Sequence, residues 1–165
     1  MTISILGCGW YGMAIALELI KQGYTVKGST TSMEKMSALS AAGVNPYLLQ
    51  INWNDVIPET EFFECDVLII SIPPGLRKGN TTEYLPKIEN VKKAILQYNI
   101  TRVIYISSTG VYGDHNSEVN ELNDPAPVTE AGQILLTAER LLQQQSAFKT
   151  TILRFGGLVG PGRHP

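Results

Sequence analysis

The chain has 165 residues, 44% of them hydrophobic and 17% charged, with a net charge of −2, which suits one soluble domain able to bury a core. So small and mixed a charge leaves no basic stripe, which argues against nucleic acid as a partner. No cleavable leader opens the chain and no apolar run approaches the roughly 20 residues that span a bilayer, so the expectation is a cytoplasmic protein with no membrane partner.

Short apolar strands alternate with helical patterns. "ISILG" (3–7) reads as a buried strand and "YGMAIALELIKQG" (11–23) as a helix stopped by Gly23. "TVKGS" (25–29) is the second strand, "SMEKMSALSAAG" (32–43) the second helix and "PYLLQI" (46–51) the third strand. The continuous apolar run "DVLIISI" (66–72) is expected of a strand covered on both faces. "TEYLPKIENVKKAILQYN" (82–99) is helical, with Pro86 expected in its first turn, where a missing N–H costs little. "RVIYIS" (102–107) is the fifth strand, followed by a long polar segment over 108–127. "EAGQILLTAERLL" (130–142) is an amphipathic helix and "TTILRF" (150–155) the sixth strand. The alternation predicts an α/β fold, a doubly wound parallel sheet of the Rossmann type, as a single domain over 1–165. A final Gly/Pro-rich loop normally leads to another element, so the chain is expected to be the N-terminal part of a longer protein whose substrate lobe lies beyond it.

Gly7-Cys8-Gly9-Trp10-Tyr11-Gly12 is a G-x-G-x-x-G run directly between the first strand and the first helix, the context in which that pattern binds a dinucleotide. Gly7 suits the tight turn, Gly9 a close approach to a pyrophosphate and Gly12 close helix–strand packing, with the helix N-terminus facing the phosphates. Trp10 and Tyr11 either flank those phosphates or pack at the surface. No acidic residue ends the second strand, where one normally holds the ribose of NAD. Ser29, Thr30, Thr31 and Ser32 stand there instead, with Lys27 and Lys35 nearby. Hydroxyls and cations without a carboxylate favour NADP over NAD as cofactor, although Thr31 or Ser32 would also serve simply as a helix cap.

Taken together, the glycine turn, "SSTGVYG", "NELNDPAP", a helix carrying Glu139 near its middle and "ILRFGGLVGPGR" resemble the extended short-chain dehydrogenases/reductases, the NAD-dependent epimerase/dehydratase family acting on nucleotide sugars. The resemblance runs over the whole chain. It implies an oxidoreductase or epimerase in which Ser108 orients a small-molecule substrate such as a nucleotide sugar. It also implies cofactor contacts from Ile72 and Ser107, and from Asn52 and Trp53 around the adenine. Pro73-Pro74-Gly75, ending the fourth strand at the carboxyl edge of the sheet, either lies beneath the cofactor ribose or is simply a rigid turn. Thr109-Gly110 replace the Asp-Glu pair of dehydratase members, so sugar dehydration by that route is not expected. Counting back from Glu139, the family's Tyr-x-x-x-Lys positions fall on Ala131 and Leu135, and residues 129–147 contain neither tyrosine nor lysine. The usual acid/base pair is therefore absent. The resemblance is strongest with an atypical subgroup that carries a serine/threonine segment after the second strand and a Pro-Pro after the fourth.

Tyr112 is the candidate replacement acid, set against a purely structural role. His115 titrates near neutrality but is more simply a solvated loop residue; Arg77 and Lys78 either meet an anionic substrate or are solvated. Asp114, Glu118 and Glu121 make the loop acidic without evident pairing. Cys8 and Cys65 lack metal-ligand spacing and read as reduced thiols, so no metal site is expected. Tyr84, Ile88, Val91 and Ile95 belong either to a homodimer interface or to the core. Two functions follow: an NAD(P)-dependent oxidoreductase or epimerase with a non-standard acid, or a non-catalytic sensor or scaffold that binds the nicotinamide cofactor.

Overall fold

In the computed structural model, which describes residues 1–52, 54, 57, 59–75, 81–113 and 118–163, six strands form one parallel sheet. They are β1 (Thr2–Leu6), β2 (Thr25–Thr30), β3 (Asn45–Leu48), β4 (Val67–Ile70), β5 (Arg102–Ser108) and β6 (Lys149–Phe155), in the spatial order β3-β2-β1-β4-β5-β6. That is the Rossmann order, with its switch point between β1 and β4. The expected doubly wound fold is the observed one.

Four helices lie among the described residues: α1 (Trp10–Lys21), α2 (Met33–Ala41), α3 (Thr81–Gln97) and α4 (Glu130–Gln143). Successive strand residues point to opposite faces, so the unbroken apolar run of β4 feeds two cores at once. Leu68 and Ile70 join the cluster under α3 and α4, while Val67 and Ile69 join the one under α1 and α2. Ile88, Val91 and Ile95 recur at helical spacing and are fully buried, with Tyr84 2% exposed. They are core of this chain, which takes them out of any dimer interface. Leu135, Ala138 and Leu142 form the matching stripe of α4.

Two expectations are corrected. Pro86 is the sixth residue of α3, in its second turn rather than its first. It withholds the N–H that would bond the Thr82 carbonyl, and the buried apolar face holds the helix together there. The third strand ends at Leu48, with one further sheet bond from the Leu49 N–H to the Thr30 carbonyl at 2.9 Å, and Gln50 and Ile51 beyond it line a cavity instead. No helix among the described residues is long and apolar enough to cross a membrane.

Candidate dinucleotide site

The site begins at the β1–α1 turn. Gly7 sits at φ +89°, and a Cβ there would stand 3.0 Å from the Ser71 carbonyl oxygen. A Cβ on Gly12 would stand 2.8 Å from the Gly7 carbonyl oxygen, so that position seats the first turn of α1 directly on the strand end. Gly9 is different: no protein atom lies within 4 Å of where its Cβ would be. Its missing side chain leaves open space facing outward, as an approaching ligand needs.

Ser29 holds this turn. Its Oγ accepts from the Gly7 N–H at 2.8 Å, and its carbonyl accepts from the Cys8 N–H at 2.8 Å. Expected as a phosphate donor, Ser29 is 2% exposed and first a splint between β2 and the glycine turn. The helix-cap alternative for this segment is not realised through Ser32, whose side chain makes no cap bond; Thr30 Oγ1 accepts from the Ser32 N–H instead.

Two cavities meet at the turn, sharing Gly7, Gly9, Ser71, Ile72, Pro73 and Pro74. The first, of about 530 Å³, runs past the end of β2 and is lined by Ser29, Thr30, Thr31, Lys35, Gln50, Ile51 and Lys87. The second, of about 460 Å³, runs past β5 and β6 and is lined by Trp10, Tyr11, Ile106, Ser107, Ser108, Leu135, Phe155 and Arg163. Open sheets bind ligands at this crevice, beyond the carboxyl ends of the strands at the switch point. Ile72 and Pro73 are held there by a buried relay: Tyr105 and Tyr84 hydroxyls lie 2.8 Å apart, and Tyr84 donates to the Ile72 carbonyl at 3.2 Å. Burial pushes both phenols above their ordinary range.

Cys8 lines the first cavity from within the turn. Burial raises its thiol from 9.0 to about 11, so little nucleophilic thiolate exists near neutral pH. Because the folded value exceeds the unfolded one, this burial stabilises the fold at pH below the ordinary thiol value and the contribution is lost as pH rises through the folded value. Denaturation midpoints should therefore fall more for the native chain than for Cys8→Ala across the alkaline range; parallel curves would refute the assignment.

A charged cluster lies behind Ser107, the one member of it that lines the second cavity. Glu139 of α4, 1% exposed, accepts from Ser107 Oγ at 2.6 Å and takes a two-pronged contact from Arg154 of β6, with Nη2 at 2.6 Å and Nε at 3.1 Å. Arg154 Nη1 donates to the Tyr112 hydroxyl at 2.6 Å while its guanidinium stands over the Tyr112 ring, 4.8 Å from the centroid. The carboxylate beside Arg154 holds its guanidinium well above the ordinary arginine range. Four elements are thus tied together: β5, the 3-10 turn Thr109–Tyr112, α4 and β6.

Several candidates shift accordingly. Tyr112 is 5% exposed, its phenol oxygen accepts from Arg154, and it lines neither cavity, a placement that suits the structural alternative. Ser107 lines the cavity but spends its hydroxyl proton on Glu139. Ser108 also lines it, and its Oγ accepts from the Gly110 N–H at 3.1 Å, which leaves the hydroxyl proton for a ligand. Leu135, at the family's lysine position, presents an apolar wall to this cavity; Ala131 does not reach it. Lys27 is turned away, its ammonium bonded to the Glu61 and Glu64 carbonyls. Asn52 lines neither cavity, and its carbonyl accepts from Asn90. Glu118 and Glu121 are exposed. Trp53, Arg77, Lys78, Asp114 and His115 lie outside the described residues. Sequence reasoning missed Gln50, Lys87, Arg154 and Arg163; the last two stood inside the motif "ILRFGGLVGPGR" without a role.

A family model for NAD(P)H binding matches residues 7–164. The protein YeeZ of Escherichia coli K12 is 36% identical over 99% of this chain, which spans 61% of YeeZ. A solved protein from Methylobacillus flagellatus, assigned to the NAD-dependent epimerases/dehydratases, is 29% identical with TM-score 0.75, over 98% of this chain and 56% of that one. The UDP-glucose 4-epimerase of Bifidobacterium longum, solved with NAD+ and UDP, shares the fold at 18% identity and TM-score 0.75, over 93% of this chain and 52% of that one. An open glycine turn flanked by two cavities is what such a ligand requires, and the chain belongs to the NAD(P)H-binding family, with epimerase/dehydratase-type short-chain dehydrogenases/reductases as its structural neighbours.

Proposed function

We propose that this domain binds NADP in preference to NAD and forms the cofactor half of an oxidoreductase or epimerase acting on a nucleotide-sugar-like substrate. The observation that carries the reading is Gly9, whose Cβ position is open while those of Gly7 and Gly12 are closed by backbone. Glycine is needed at Gly7 and Gly12 for the fold, whereas at Gly9 the missing side chain leaves the turn open to a ligand. The adenosine half would lie against Thr30, Thr31, Gln50 and Ile51, and the nicotinamide half against Ser107, Ser108 and Leu135. The cofactor, when bound, supplies hydride transfer.

The chain's own residues then divide the work. Ser108 donates its hydroxyl proton to a substrate oxygen, in keeping with the orienting role that the resemblance implies. Leu135 and Phe155 keep water from that end of the cavity. Lys35 and Lys87 bring positive charge to the cavity beside Thr30 and Thr31, with no carboxylate among its described lining residues. Lys87 is shared with Glu83 at 2.9 Å, which leaves Lys35 as the main cation for a 2′-phosphate. Lys35→Ala should weaken NADPH about three- to tenfold, as befits one exposed charge-assisted contact, and leave NADH unchanged. Titration of both nucleotides by nicotinamide fluorescence checks this, and equal losses for the two would refute the 2′-phosphate role.

A sensor or scaffold that binds the cofactor without chemistry is the second reading. It is favoured by the second cavity's lining, which among the described residues has no ionisable side chain except Tyr11 and Arg163. Hydride exchange between bound NADPH and carbonyl or sugar-nucleotide probes separates the two, and its absence in a full-length protein that binds NADPH would favour the sensor.

A further inference from the structure

Resting on the reading that these cavities take a nicotinamide dinucleotide, we infer that Arg163 and Trp10 form a clamp for a ligand phosphate at the edge of the second cavity. The chain after β6 folds back over the start of α1. Trp10 Nε1 donates to the Pro161 carbonyl at 2.8 Å, and Gly160 and Arg163 exchange a pair of backbone hydrogen bonds of 2.9 Å each. Gly160 passes so near the indole that a Cβ on it would stand 2.8 Å from Cζ2. The loop is therefore pinned to the first residue of α1, immediately after Gly9.

This pinning sets the guanidinium. Arg163 stands over the Trp10 ring, 5.2 Å from its centroid, and lines the same cavity as Gly9 and Ser108. An aromatic face orients the planar group while leaving its N–H fork free to grip an anion. Among the described residues no carboxylate lies within 4.0 Å of Arg163, and none lines this cavity. Arg154, by contrast, is neutralised by Glu139. The lining thus has one uncompensated cation, beside the partly positive N-terminus of α1. A phosphate matches this chemistry, and it has two sources: the dinucleotide's own pyrophosphate, or the diphosphate of a nucleotide substrate.

Calorimetric titration of the chain, Arg163→Ala, Arg163→Lys and Trp10→Phe with NADPH, NADH and UDP tests the clamp. Arg163 is exposed, so its variants should keep the native melting temperature. A loss of about tenfold in Arg163→Ala, partly restored in Arg163→Lys and smaller in Trp10→Phe, is expected from a charge-assisted forked contact. Loss with both nicotinamide nucleotides identifies the cofactor's pyrophosphate, and loss with UDP alone identifies the substrate's diphosphate. Equal affinity of the native chain and Arg163→Ala for all three ligands overturns the clamp while leaving the cofactor reading intact. Failure of the native chain to bind NADPH or NADH overturns that reading and the clamp with it.

Discussion

Gly9→Val should abolish NADPH and NADH binding while leaving the melting temperature within a degree or two of the native value. The two halves of this result come from one geometric fact. A Cβ at Gly9 meets no protein atom within 4 Å, so a side chain is accommodated in the empty fold. The same branched side chain occupies the space over the glycine turn that a pyrophosphate must enter to reach the first N–H groups of α1. A loss of a hundredfold or more in affinity is expected, because both the close approach and the helix-terminal hydrogen bonds are forfeited together. Gly12→Val is the informative contrast: its Cβ would stand 2.8 Å from the Gly7 carbonyl oxygen, so it should lower stability before binding is even in question. Retained NADPH binding in a folded Gly9→Val chain would remove the glycine turn from the site.

Glu139→Ala should be strongly destabilising. Glu139 is 1% exposed, and its carboxylate is the shared acceptor of Ser107 and Arg154. Removing it leaves a guanidinium with a side chain only 20% exposed and no counter-charge. Breaking a buried pair from one side costs about 3–5 kcal/mol, and the partial exposure of Arg154 puts this case near the lower end. For a domain of this length that corresponds to a fall of roughly 6–12 °C in melting temperature. Thermal unfolding of Glu139→Ala, Arg154→Met and the double variant Glu139→Leu/Arg154→Met checks it, since the double variant removes both charges and should recover part of the loss. A fall under about 2 °C in Glu139→Ala would mean that the cluster contributes little. Because Ser107 and Ser108 sit at the same end of β5, Glu139→Gln should also weaken NADPH modestly, a readout separate from stability.

The sheet was legible in the sequence because parallel strands buried on both faces leave unbroken apolar runs, as in Val67–Ile70, and crossover helices leave stripes at helical spacing, as in Ile88, Val91 and Ile95. The glycine turn was legible for a related reason: its requirements are backbone requirements, local to six consecutive residues, and only glycine meets them at Gly7 and Gly12. The missing acid/base pair at Ala131 and Leu135 was equally plain, since an absence at fixed spacing needs no coordinates.

What could not be read was every assignment that depends on where a side chain goes once distant segments meet. Lys27 and Lys35 look alike along the chain, but alternation along β2 turns Lys27 toward the Glu61–Glu64 carbonyls while α2 carries Lys35 to the cavity. Tyr112 and Ser108 share one loop, yet a guanidinium 42 residues away takes the phenol and leaves the serine facing the cavity. Arg163 acquires a role only because its loop returns to Trp10, 153 positions earlier. Local periodicity encodes which elements form, through backbone preference and burial. The charge pairing that sorts ligand-facing cations from structural ones is a property of the assembled sheet, in which Glu139 neutralises Arg154 and leaves Arg163 free of any carboxylate among the described residues.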